Sequence, residues 1–200
     1  MSHSQTRARA SGRPASFWLL SLAAVLALAT CGKESSPPPP EGSAVTQLAE
    51  PENALTESLM IALGQASNYH HKADLLQREG KIDEAAAAVE AVLKISFPAD
   101  APESEDVILD THARLAKLRL LQKRPDEALS LVDEGIAMST RDSFFSANLH
   151  TVRGQVFEAK AMAAEPDSDE AKQAAVDAIS AFDASIKINE GLLEKIEAGQ

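Results

Sequence analysis

Apolar residues recur with a helical period through most of the chain beyond residue 52. Between Ala73 and Ile95 they fall at Ala73, Leu76, Ala85, Val89 and Leu93; between Asp106 and Met138 at Leu109, Leu115, Leu118, Leu121, Ala128, Val132 and Ile136. Steps of three and four place each set on one face of a 3.6-residue helix, and no stretch alternates in the two-residue manner of a strand. The pattern predicts a long helical stretch with Asn53 as its N-cap and Gly80 as its stop, Gly64 being a candidate break. A second helix follows from Asp83 to about Ile95, halted by the prolines at 98 and 102. Asp106 starts the third and Asp126 the fourth, which ends near Met138. Phe144 and Phe145 open the fifth, running to about Ala163, and Asp167 or Ser168 caps the sixth through Ala178, Phe182 and Ile186. Asn189-Glu190-Gly191 interrupts that helix, and Leu192 to Ile196 form a last turn or two over the open end.

The stretch ADLLQREGKIDEAAAAVEAVLKI (Ala73 to Ile95) has a second copy 43 residues on, AKLRLLQKRPDEALSLVDEGIAM (Ala116 to Met138). In both, a small residue (Ala73, Ala116) is followed twelve positions later by an alanine (Ala85, Ala128) inside Asp-Glu-Ala. Each copy reads as a helical hairpin whose two helices touch closely at those alanines. A looser third copy has Gly154 and Phe157 on its first helix and Ala178, Phe182, Ile186 and Ile188 on its second, with Ala178 lying 50 residues after Ala128.

Gly80-Lys81-Ile82-Asp83-Glu84-Ala85, with Tyr69, Ala73, Leu76 and Val89 around it, resembles the tetratricopeptide repeat. The second copy carries Lys123-Arg124-Pro125 where the first has its glycine, and Pro125 suits a first helical turn. Against that family's period of about 34 residues, the longer spacings imply insertions, one at Phe97 to Glu105 and another around Glu165 to Asp169. The resemblance implies an all-α fold over residues 53–197, an α-solenoid of about three irregular hairpins with a capping C-terminal helix. It further implies a concave groove lined by the first helices, which binds a peptide or partner helix. Carried over position by position, the groove wall comprises Ser67, His70, Asp74, Gln77 and Arg78, then Asp110, Ala113, Lys117, Leu120 and Leu121, then Asn148, Thr151, Gln155, Glu158 and Ala159. In that wall Arg78 and Lys117 are candidates to hold a carboxylate, and Leu120 and Leu121 offer an apolar contact.

The first thirty residues change the setting. Arg7, Arg9 and Arg13 precede a run rich in leucine and alanine that ends Leu28-Ala29-Thr30, the layout of a secretory signal. Cys31, the single cysteine, follows directly. This resembles a lipobox, which implies diacylation of Cys31 and a bacterial lipoprotein anchored in the cell envelope. An ordinary cleaved signal and an uncleaved anchor over Pro14 to Gly32 are the alternatives. Residues 31–52 read as a tether stiffened by Pro37 to Pro40, reaching roughly 60 Å if extended at about 3.1 Å per residue. Gly32 after the cysteine favours an outer-membrane location facing the periplasm. With Cys31 lipidated, no disulfide forms and stability rests on packing.

The chain has 19 basic and 30 acidic residues, a net charge of −11, and the part beyond the leader stands at −14 because the leader's only charges are three arginines. Such a surface repels nucleic acid and anionic headgroups and leaves protein or peptide partners. His-Glu-x-x-His, a glycine-rich phosphate loop and a Gly-x-Ser-x-Gly elbow are all missing, which argues against an enzyme, and no cofactor is implied. His70-His71 are poor joint metal ligands, since adjacent helical positions point about 100° apart; His112 and His150 occupy the packing slot of Tyr69. Ala85 to Ala88 form a packing surface, and Glu103 to Asp106 a solvated loop with an N-cap. The expected function is a lipid-anchored periplasmic scaffold or adaptor; the alternative is a small-molecule-binding lipoprotein component of a transport system.

Overall fold

A computed structural model describes residues 51–99 and 101–199. The leader, Cys31 and the tether lie outside these described residues. Six helices account for about four-fifths of them, and no strand occurs among them: α1 Pro51–Arg78, α2 Ile82–Val92, α3 Pro102–Leu121, α4 Pro125–Met138, α5 Phe144–Ala163 and α6 Asp169–Glu197. The chain is therefore all-α over this region, as the 3.6-residue period requires.

Local chemistry sets most helix ends. Ser143 caps α5: its hydroxyl accepts from the Ser146 amide at 3.1 Å while the Ser146 hydroxyl accepts from the Ser143 amide at 2.8 Å, a reciprocal cap. The Ser168 hydroxyl caps α6 by accepting from the Ala171 amide. Each hairpin turn contains one residue in the left-handed region: Gly80 (φ 76°), Lys123 (φ 61°) and Asp167 (φ 62°). Lys123 stands 43 residues after Gly80 and makes the same turn. In the first, the Gly80 amide donates to the Gln77 carbonyl and the Lys81 amide to Leu76; in the second, Lys123 donates to Leu120 and Arg124 to Arg119.

Several expected boundaries are corrected. The first helix starts at Pro51, so Asn53 lies within it, and it passes Gly64 unbroken. The third begins at Pro102, not Asp106, because proline's fixed φ suits the first helical turn and Glu103 and Glu105 sit at its positive end. The second ends at Val92, three residues short of Ile95. There is no separate C-terminal capping helix: α6 continues through Asn189-Glu190-Gly191 to Glu197. A lone helical glycine costs only about 1 kcal/mol, too little to break a helix of this length.

The helices pack as sequential neighbours, α1 with α2, α3 with α4 and α5 with α6, while α2 meets α3, α4 meets α5, and α3 touches both α1 and α5. Ala73, Ala85, Ala86, Ala88 and Val89 join Leu115 and Leu118 in one core cluster. Leu109, Ala113, Ala116, Ala128, Val132, Leu149, Val152 and Val156 form the next. Small residues let the helices approach. A Cβ on Gly154 would stand 2.6 Å from the Phe182 ring, and one on Gly135 would stand 3.0 Å from His112 and Leu149. His112 is buried and its Nδ1–H donates to the Leu131 carbonyl at 3.0 Å, so it packs α3 on α4.

The acidic run Glu103 to Asp106 is more than a solvated loop. Glu105 accepts from both the amide (3.0 Å) and hydroxyl of Thr140, and Asp106 pairs with Arg141 at 2.6 Å, tying the start of α3 to the segment after α4. These bonds hold the Glu105 carboxyl below its usual range.

Candidate partner-binding face

The residues expected to line a groove sit on α1, α3 and α5, and the structure gathers part of them. Between α1 and α3 lies a depression of about 290 Å³ lined by Asp74, Gln77, Asp110, Arg114 and Lys117 over a floor of Ala73, Val89 and Leu118. Arg78 borders a neighbouring shallow hollow with Asp74 and Gln77. The arrangement follows from helical register: Asp74, Gln77 and Arg78 share one face of α1, and Asp110, Arg114 and Lys117 share one face of α3.

Arg114, absent from the wall expected on sequence grounds, organises this face. Its Nε donates to Asp110 at 2.7 Å within the helix, and its Nη1 reaches Asp74 on α1 at 3.3 Å. The sequence signal for it is an i, i+4 Asp-Arg pair at 110 and 114; its reach to α1 is not readable without the tertiary fold. His70 completes the cluster. The Thr111 hydroxyl donates to the Val107 carbonyl at 2.6 Å, and therefore accepts from His70 Nε2 at 3.3 Å. That contact selects the Nε2–H tautomer and leaves Nδ1, 3.9 Å from Asp110, as the site that takes a proton. Burial, then the Arg114 charge, hold the His70 pKa below its ordinary value, against the smaller pull of Asp110 and Asp74.

The electrostatic balance matters for what can bind. Asp74 and Asp110 offset Arg114 and Lys117, so the depression is close to neutral, and Arg114 is committed to two carboxylates. The cations of the expected wall with exposed side chains are Lys117 and Arg78. This is not a concentrated basic clamp.

Other expected wall residues are placed differently. Leu120 is half-buried and packs against the core cluster shared by α3, α4 and α5, so it is a core residue and not a free apolar wall; Ala113 is likewise buried. Leu121 is exposed. Gln155 is half-buried and Glu158 exposed on α5, and neither lines the α1–α3 depression. Thr151 is tied to α6, accepting from the Ser185 hydroxyl at 2.8 Å.

A larger hollow, about 690 Å³, lies elsewhere, between the C-terminal half of α6 and Asp142, lined by Ala184, Ile188, Lys187, Glu194 and Lys195. It is an open cleft. Among the described residues no three His, Cys, Asp or Glu side chains are grouped to hold a metal ion, and no helix is long and apolar enough to cross a membrane. Set against family models, curated proteins and solved structures, the chain matches none of them.

Proposed function

We propose that this chain is a lipid-anchored scaffold or adaptor of a bacterial envelope, held at the outer membrane through Cys31 and facing the periplasm. Its helices form an α-solenoid of three irregular tetratricopeptide-like hairpins, and the face shared by α1 and α3 receives a peptide or helix of an envelope assembly. The order of helix contacts and the left-handed residue at each hairpin turn support the solenoid reading. The observation that carries the function is the α1–α3 depression, where Gln77 and Lys117 stand exposed beside the preorganised Asp74–Arg114–Asp110 network. Fixed charges of this kind present a rigid polar surface and lose little side-chain freedom on binding. Near-neutrality at the depression favours a partner segment that brings backbone amides and polar side chains rather than a dense anionic tail. The small-molecule alternative needs an enclosed apolar pocket, whereas the larger hollows among the described residues are open clefts.

The test is photo-crosslinking in cells from Gln77 and Lys117, with exposed Ala137 on α4 as the outward control. One discrete protein adduct from the first two positions and none from Ala137 is the expected outcome. Adducts of equal pattern from all three positions, or none, would remove this face as the binding site.

A further inference from the structure

Each hairpin receives the next through a repeated set of positions, and the last hairpin presents that set with nothing on it. Along α2 and its C-cap the set is Ala86, Glu90 and Leu93; on α4, 43 residues later, it is Leu129, Asp133 and Ile136; on α6, a further 50 residues on, it is Ile179, Asp183 and Ile186. In the first two hairpins the acidic member pairs with an arginine of the following helix, Glu90 with Arg119 on α3 and Asp133 with Arg153 on α5 at 2.8 Å. Ala86 is buried beside Leu115 and Leu118 while Leu93 at the C-cap stays 38 % exposed, and Leu129 and Ile136 pack on the cluster containing Leu149 and Val156. On α6 the same positions are open: Ile179 is 61 % exposed, Ile186 is 53 % exposed, and Asp183 has no ion-pair partner among the described residues.

The opposite end of the array carries the complementary set. Leu75 on α1 occupies the position that Leu118 fills on α3 and Val156 on α5, both buried against the preceding hairpin, yet Leu75 is 58 % exposed. Lys72 occupies the position of Arg153, the residue that pairs with Asp133, and it too has no ion-pair partner among the described residues. End faces of a monomeric repeat array are ordinarily polar; these two expose apolar side chains, and Lys72 and Asp183 on them match the spacing of the Arg153–Asp133 pair in the α4–α5 joint, whereas Arg119 of the α2–α3 joint stands four positions further along its helix.

We propose that the chain stacks head to tail with a second copy of itself, Lys72 and Leu75 on α1 of one copy docking on Ile179, Asp183 and Ile186 on α6 of the next, with Lys72 paired to Asp183. The joint repeats the α4–α5 joint, with Lys72–Asp183 in place of Arg153–Asp133. A symmetric meeting of two α6 helices would leave Lys72 and Leu75 uncovered, whereas the head-to-tail joint covers both open sets at once. A head-to-tail contact leaves one set open at each end of a dimer, so it yields dimers and then longer rows or rings. It uses the two ends of the array and leaves Gln77 and Lys117 open, so it stands independently of the proposed partner site.

The test is sedimentation velocity of the full chain over a range of concentrations in one non-ionic detergent, with the exposed charge reversals Lys72→Asp and Asp183→Lys. Wild type is expected to show concentration-dependent association, and each variant alone to associate about tenfold more weakly. Mixing the two variants in equal amounts is expected to restore association, because the aspartate introduced on α1 of one variant then meets the lysine introduced on α6 of the other. A wild-type chain that stays monomeric assigns the α6 face to a different protein and overturns the proposal. Undiminished association in Lys72→Asp, the sign of α6 meeting α6, overturns it equally, as does a mixture no stronger than its components.

Discussion

Gly154 shows how one residue type can be dictated by a neighbour distant in sequence. The Phe182 ring on α6 lies where a side chain at 154 would begin, 2.6 Å from an added Cβ, so the half-buried ring must shift to admit one. Gly154→Ala should therefore destabilise the fold by about 1–3 kcal/mol through overpacking, against the roughly 1 kcal/mol gain that alanine brings to an open helical position. Denaturant unfolding of Gly154→Ala and of Gly154→Ala/Phe182→Leu measures this: the smaller ring-less partner should recover most of the loss. A neutral or stabilising Gly154→Ala would mean that Phe182 is not seated there. The sequence places Gly154 in the slot of Ala73 and Ala116, which is the helix position it occupies. That the nearest atoms to it belong to the Phe182 ring is beyond the reach of the linear pattern, because that contact is set by how α5 and α6 seat on each other.

At the scale of the helix, glycine means different things at different places. Gly80 has φ 76° and closes a turn, so it terminates α1. Gly64 and Gly191 lie inside α1 and α6 with nothing within 4 Å of an added Cβ. Each should accept alanine with a gain of about 0.5–1 kcal/mol, since helix propensity improves and no contact is strained. Thermal unfolding of Gly64→Ala and Gly191→Ala checks the continuity of both helices directly: a loss of stability in either would indicate a break at that point. The linear pattern makes Gly64 a candidate break and Asn189-Glu190-Gly191 an interruption, because glycine and asparagine are strong local punctuation. The apolar face that holds each helix together across the glycine is a sum over many residues and outweighs one unfavourable position.

At the scale of the whole molecule, two half-buried histidines add a pH response near neutrality to that of Glu105 in acid. Burial lowers the pKa of His70, aided by Arg114, and burial then Arg153 lower that of His150, both from an ordinary value of 6.5. His70 also faces Asp110 and Asp74, which pull the other way, and His71, which does not. A histidine whose folded pKa lies below its unfolded one binds its proton first in the unfolded chain, so stability is complete above about pH 6.5 and falls as the pH drops through that value. The melting temperature should accordingly decrease between about pH 7.5 and 5.5, and His70→Asn with His150→Asn should flatten that slope. An unchanged slope in the double variant would place the acid sensitivity elsewhere. His70 bridges α1 to α3 through Thr111, so the same variant also removes a contact beside the face on which the proposed partner docks.

Local rules acting within a turn or two are legible in the linear pattern: an all-helical chain, hairpins at Gly80-Lys81 and Lys123-Arg124, close contact at Ala85 and Ala128, and the start of α5 at Phe144. Each depends on periodicity, propensity or turn chemistry, which neighbouring residues determine between them. The composition of the candidate face depends on the fold. His70, Asp74 and Asp110 are expected as neighbours from their slots, whereas Arg114 joins them and Leu120 leaves them only once α1, α3 and α5 are set side by side. An arginine's partner and a leucine's burial are set by helices distant in the chain, through the depth at which one helix seats on the next. The same holds for the open positions on α6: Asp183 and Ile186 read from sequence as one more turn of an amphipathic helix, and only the packed array reveals that Glu90, and Asp133 with Ile136, meet a following helix while these two do not.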